Sequence, residues 1–165
     1  MKKILFVDGG YLNFLAHGKI LDFQEIARGY AEAHYYTSAP NPKKEDFTKS
    51  FKGFEKVLRK AGFVPHIGTL RYKDGEWHQK RVDVDLATDM VLRAASGGGE
   101  EIYLLSGDED FVPAVLKTEK MGTTVTVLHG PRNTVSGDLL DSASKSFFLD
   151  DAWFRERVLR GRRKR

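Results

Sequence analysis

The stretch Ile102-Tyr103-Leu104-Leu105-Ser106-Gly107-Asp108-Glu109-Asp110-Phe111 decides the fold. Its first four residues are an apolar run, the mark of a buried strand. Phe111 to Lys120 then follow a helical pattern. Asp108 and Asp110 therefore sit where a strand stops and a helix starts. In open α/β sheets that edge is where ligands bind.

Working outward, other segments repeat the alternation. Residues 3–8 are a short apolar run ending on Asp8, and Gly9-Gly10 permits a tight turn. Tyr11, Leu12, Phe14 and Leu15 suggest one face of a short helix. Residues 30–38 predict a second strand. Residues 44–61 predict a basic helix with Phe47, Phe51, Phe54, Val57 and Leu58 toward the core. Residues 63–70 predict a third strand, and 71–80 a hairpin or loop turning at Asp74-Gly75. Residues 82–95 predict a long helix with Val84, Ala87, Val91 and Ala94 or Ala95 inward. Beyond Gly122, residues 123–128 predict a fifth strand, 139–142 a short turn or helix, and 146–149 a sixth strand. Asp151 is the expected cap of a last helix running into the basic tail. Strands alternating with helices predict an α/β fold: a three-layer sandwich with a mostly parallel central sheet of five to six strands. Right-handed crossovers place Asp8 on the same edge as Asp108 and Asp110.

Composition sets bounds. The chain has 165 residues, 41% hydrophobic and 12% aromatic, which suits one packed domain. It has no cysteine, which excludes disulfides, thiolate metal sites and a cysteine nucleophile. The N-terminal apolar run is too short for a signal peptide, and no stretch reaches transmembrane length. A cytoplasmic protein with no membrane partner is expected. The formal charge is +4. Arg155, Arg157, Arg160, Arg162, Arg163, Lys164 and Arg165 face only Glu156 in the final stretch, so the body is slightly acidic and the tail basic. We divide the chain into a domain at 1–154 and a basic tail at 155–165. Such a tail suits a polyanion.

Three acidic places carry the chemistry. Asp8 ends the first strand; Asp83, Asp85 and Asp89 lie on the long helix; Asp108 and Asp110 end the fourth strand. Clustered carboxylates repel one another unless a cation joins them or some protonate. Oxygen ligands alone favour Mg²⁺ or Mn²⁺. Such ions activate water and polarise phosphoryl oxygens, so phosphodiester hydrolysis is the natural reaction. The same residues have structural readings. Asp8 suits a turn, Asp108 or Asp110 suits a helix cap, and the helix acids suit a solvated face. Periodicity does not choose among Asp83, Asp85 and Asp89.

Three motifs together resemble the NYN domain family of the PIN-like nuclease superfamily, in its LabA-like bacterial form. They are Val7-Asp8-Gly9-Gly10-Tyr11, Lys80-Arg81-Val82-Asp83-Val84-Asp85-Leu86-Ala87-Thr88-Asp89, and Ser106-Gly107-Asp108-Glu109-Asp110-Phe111-x-Pro113. The resemblance covers most of residues 3–150. It implies a Rossmann-like, PIN-like sandwich and a metal-dependent endoribonuclease. By motif it makes Asp8, Asp83, Asp108 and Asp110 the catalytic and metal-binding set. Asp83 matches a motif position, whereas Asp85 falls on a variable one. Asp85, Asp89 and Ser106 are supporting candidates. Many members carry asparagine three residues after the first aspartate; here that place is Tyr11, and the nearest asparagine is Asn13. Asn13 is thus a further supporting candidate.

The expected partner is RNA in single-stranded form, met by Lys80, Arg81, Arg162 and Arg163, with Tyr72, Trp77 and His78 as stacking candidates. A homodimer is a further expectation. The histidines lack metal spacing and read as structural. The alternative function is a non-catalytic RNA-binding or regulatory module on the same fold. A haloacid-dehalogenase reading needs Asp-x-Asp on the first strand, and Gly10 stands where the second acid belongs.

Overall fold

The structure is a computed structural model that describes residues 1–38 and 45–160, with backbone only at 45–49, 70, 77, 79 and 80. Six strands form one sheet: β1 (Lys2–Asp8), β2 (Glu32–Thr37), β3 (Phe63–Ile67), β6 (Glu100–Leu105), β7 (Thr124–His129) and β8 (Lys145–Phe148). Their order is β3-β2-β1-β6-β7-β8, and every pairing is parallel. A separate antiparallel hairpin joins β4 (Thr69–Lys73) to β5 (Glu76–Lys80).

Parallel strands covered on both faces read as continuous apolar runs. Ile4, Leu5, Phe6 and Val7 fit this, all at most 2% exposed. Side chains alternate between the faces. Leu5, Val7, Leu105 and Leu128 pack against α1 (Gly9–Ala16), α2 (Phe23–Ala27), α3 (Glu45–Lys60) and α7 (Asp151–Glu156). Ile4, Phe6, Ile102 and Leu104 pack against α4 (Val82–Ala95), α5 (Val112–Lys120) and α6 (Gly137–Ser142). The result is an α/β three-layer sandwich.

The chain runs outward from β1 to β2 and β3, returns through α4, then runs the other way from β6 to β7 and β8. The sheet order therefore switches between β1 and β6. The crevice outside the carboxyl ends of the strands at such a switch is the fold's natural ligand site. Asp8 and Asp108 stand there because their strands end there.

Several expectations shift. The predicted third strand, 63–70, divides at Gly68. Its amide still donates to Thr37 O at 2.8 Å, and Thr69 begins the hairpin. Asp74 and Gly75 turn that hairpin with φ of 54° and 81°, the double left-handed turn that matches strand twist. On α4 the core row is Leu86, Met90 and Ala94, whereas Val84 is 67% exposed. Val84 lies two residues before Leu86, about 200° around the helix. Phe14 and Val57 likewise face outward while Leu12, Leu15 and Leu58 are buried. The side chain of Phe47 lies outside the described residues.

The cap of α7 is Asp150, whose Oδ1 accepts from Trp153 N at 2.8 Å, and the expected cap Asp151 lies one residue inside the first turn. The expected division at residue 154 falls inside α7. Asp22 N donates to Arg157 O at 2.7 Å and Leu159 N to Ile20 O at 2.9 Å, so the packed body includes Leu159. Among the described residues no helix is long and apolar enough to cross a membrane.

Candidate active site

The site is built from the two strands that meet at the switch. Ile4, Phe6 and Asp8 share one face of β1 by the two-residue period, and Ser106 continues the face of Ile102 and Leu104. Asp8 and Ser106 therefore point toward the α4 side. Ser106 is fully buried, and its hydroxyl donates to Asp8 Oδ2 at 2.9 Å. The same hydroxyl oxygen accepts from Asp108 N at 3.2 Å.

Two of the acids also cap helices. Asp8 Oδ1 accepts from Tyr11 N at 3.2 Å at the start of α1. Asp108 Oδ1 accepts from Asp110 N at 2.9 Å and opens a 3₁₀ turn, Glu109–Phe111, that leads into α5. Each carboxylate oxygen has two lone pairs, so one amide bond leaves acceptor capacity for a cation. Asp83, Asp108 and Asp110 are exposed and Asp8 is half-buried, which leaves the edge accessible.

Two glycines let the segments close. A Cβ on Gly9 would come within 2.5 Å of the Tyr35 ring and 2.6 Å of Tyr36 O. A Cβ on Gly107 would come within 2.3 Å of Thr134 O and 2.7 Å of the Tyr11 ring. Tyr11 itself braces the site. Its hydroxyl shares a 3.0 Å hydrogen bond with Thr134 Oγ1 and accepts from Gly130 N at 3.0 Å. The residue at the usual asparagine position thus ties α1 to the loop after β7. Asn13 is exposed in the second turn of α1.

Electrostatics separates the three helix acids. Burial holds the Asp8 carboxyl above its ordinary value, opposed by its bonds from Ser106 and Tyr11 and reinforced by repulsion from Asp108. Asp83 is also raised, first by partial desolvation, then by the charges of Asp8, Asp108 and Asp110. Those four share one field. Asp85 and Asp89 act instead on Tyr36 and His66. Tyr36 Oη donates to Asp89 Oδ2 at 2.7 Å, and His66 Nδ1 stands 3.8 Å from the same oxygen. His66 Nε2 lies 3.0 Å from His34 Nδ1. Burial and His34 hold the His66 pKa low. Asp89 thus anchors α4 to β2 and β3.

Arg81 is exposed immediately before α4, at φ 79°. The side chain of Lys80, and Arg162 and Arg163 entirely, lie outside the described residues. Tyr72 pairs with Trp77 across the hairpin, and Arg71 with His78. Among the described residues, no three acids or histidines converge tightly enough to cage an ion as they stand. The donor set nevertheless fits a hard divalent cation: it is all oxygen, accessible, and self-repelling without one.

The architecture and the acidic edge at the β1/β6 switch define the class, a three-layer α/β domain with an acidic crevice at its switch point. The NYN domain model matches residues 3–150, and the chain belongs to the NYN domain family. No curated protein matches the chain. A crystal structure of a protein of unknown function from Vibrio parahaemolyticus is similar in fold. It has a TM-score of 0.72 and 24% identity, with 96% of each chain covered.

Proposed function

We propose that this protein is a divalent-metal-dependent endoribonuclease. The observation that carries this reading is the meeting of Asp8 and Asp108 through Ser106 at the switch point, where the charges of Asp8, Asp108 and Asp110 all bear on Asp83. Membership in a family of nuclease-type fold supports it. These four aspartates would hold Mg²⁺ or Mn²⁺. A bound ion would supply a Lewis acid for the phosphoryl oxygen and a water of lowered pKa.

The chain's own residues do the rest. Ser106 orients Asp8 and fixes the amide of Asp108. Asp110, in the 3₁₀ turn, and Asp83, in the first turn of α4, approach from two further segments. Asp89, held by Tyr36, supports α4, and Asp85 adds charge beside it. Hydrolysis in line leaves a 5′-phosphate and a 3′-hydroxyl. Arg81 and Lys80 precede α4 and meet the RNA backbone, and Arg162 and Arg163 extend that contact. The RNA is single-stranded, since only unstacked bases are free to stack on side chains such as Tyr72 and His78. The absence of cysteine suits action in the cytoplasm.

The test is cleavage of varied single-stranded RNAs with Mn²⁺. Cleavage abolished by EDTA and by Asp108→Asn is expected. A wild type that binds RNA yet stays inactive on all of them, with binding unchanged in Asp108→Asn, would establish the non-catalytic RNA-binding module instead.

A further inference from the structure

On the sheet face opposite the aspartates lies a cavity of about 150 Å³. Leu5, Leu105 and Leu128, from β1, β6 and β7, give it an apolar floor. Tyr30, Tyr103 and Trp153 add three aromatic rings, with Tyr30 and Tyr103 edge-to-face at 5.3 Å. Lys3, Arg28 and Arg157 add cations. Arg28 is paired with Glu25, and Arg157 stands 3.4 Å from Glu156. Lys3 has no ion pair among the described residues and stands 5.6 Å over the Tyr103 ring. The Arg157 guanidinium covers the Trp153 ring at 4.5 Å.

Apolar floor, aromatic walls and cations together select a ligand with a planar ring and a separate anionic group. Size narrows the class. A volume near 150 Å³ suits a single ring such as benzene. Polarity narrows it again. The Tyr30 hydroxyl has no hydrogen-bond partner among the described residues. Burial pushes its pKa up to about 12, so it remains an O–H donor at neutral pH. A pyrimidine base offers the carbonyl that such a donor needs.

We propose that this cavity binds one pyrimidine nucleotide, its base among Tyr30, Tyr103 and Trp153 and its phosphate against Lys3. The site uses none of the four aspartates and stands independently of the nuclease reading. A free nucleotide and a nucleotide within an RNA strand share this chemistry.

The chain has two tryptophans, so Trp77→Phe leaves Trp153 as the lone reporter. Uridine monophosphate, titrated in EDTA, should quench its fluorescence saturably, and adenosine monophosphate more weakly. Calorimetry on the unaltered chain should give the same affinity. Tyr30→Phe should weaken binding about tenfold, the loss of one hydrogen bond, and Asp83→Asn should leave it unchanged. Pentauridylate in the same buffer separates the sources: quenching by the oligomer alone assigns the site to RNA, and quenching by both admits the free nucleotide. Three results would overturn the proposal: no response to either probe by fluorescence and calorimetry, benzoate binding as well as the nucleotide, or loss of binding in Asp83→Asn.

Discussion

Ser106 and Asp8 are 98 residues apart in the chain, and the serine hydroxyl donates to the aspartate carboxylate at 2.9 Å. This bond ties the ends of the two central strands together and sets the orientation of the half-buried acid. Ser106 also receives the amide of Asp108, so one side chain connects two of the acids.

Removing that hydroxyl should therefore damage the site more than its size suggests. Ser106→Ala leaves two polar groups short of a partner at a buried position, a cost of about 1–3 kcal/mol. Urea unfolding should show this loss in midpoint. RNA cleavage should fall at least about tenfold, as a misplaced acid costs rate steeply. Wild-type activity in a folded Ser106→Ala would show that the bond orients nothing of consequence.

The helix acids should separate by function. Asp83→Asn should abolish both RNA cleavage and the rise in melting temperature on adding Mn²⁺. Saturating metal at about 100 times its Kd stabilises a single-site protein by about 2.7 kcal/mol. Asp85→Asn should keep the metal response. Asp89→Asn should keep much of it but lower stability, because the 2.7 Å bond from Tyr36 is weakened. A thermal-shift series with and without Mn²⁺ distinguishes the three.

The pH dependence follows from the raised carboxyls. Asp8 and Asp83 titrate above their ordinary values in the folded chain. The folded state then binds more protons than the unfolded state across that interval. Their contribution to stability is present below the ordinary carboxylate range, near pH 4. It is lost as pH rises through the raised folded values. In EDTA, Asp83→Asn should flatten this loss in chemical unfolding measured from about pH 4 to 7. Mn²⁺ affinity should rise over the same interval, since the ligands must lose protons to bind.

The acidic edge was more legible in the sequence than the brace around it. Apolar runs ending on Asp8 and on Leu105, three residues before Asp108, locate both strand ends, and right-handed crossovers place them together. Periodicity left Asp83, Asp85 and Asp89 open because all three are exposed or half-exposed on one helix. Their separation rests on which neighbours each faces, a tertiary property. Tyr11 was invisible as a brace for the same reason: its partners Gly130 and Thr134 lie 119 and 123 residues away. The break at Gly68 was hidden because strand-forming residues lie on both sides of it.

That brace yields its own expectation. Tyr11→Phe removes two hydrogen bonds from a half-buried ring, and should cost about 1–3 kcal/mol in unfolding free energy. Gly107→Ala should cost more, because its Cβ would meet backbone at Thr134 O, which has little freedom to withdraw. Denaturant midpoints would check the order. Equal midpoints for Gly107→Ala and wild type would show that the loop after β7 yields easily.

The backbone bond from Leu159 to Ile20 is the last tie to the body among the described residues, and the basic cluster follows it in sequence. Deleting residues 160–165 removes Arg160, Arg162, Arg163, Lys164 and Arg165. RNA affinity should fall, and the slope of log affinity against log salt should flatten by about 0.7 for each lost phosphate contact. Fluorescence anisotropy at several salt concentrations measures both. An unchanged affinity and slope would remove the tail from RNA binding.

The central claim is that Asp8, Asp83, Asp108 and Asp110 together hold a catalytic metal ion. A crystal soaked in Mn²⁺ and measured at a wavelength where manganese scatters anomalously tests it directly. The account predicts an anomalous peak among these carboxylates, absent in Asp83→Asn. A well-ordered site with no peak at high Mn²⁺, or a peak that persists in Asp83→Asn at full height, would contradict it.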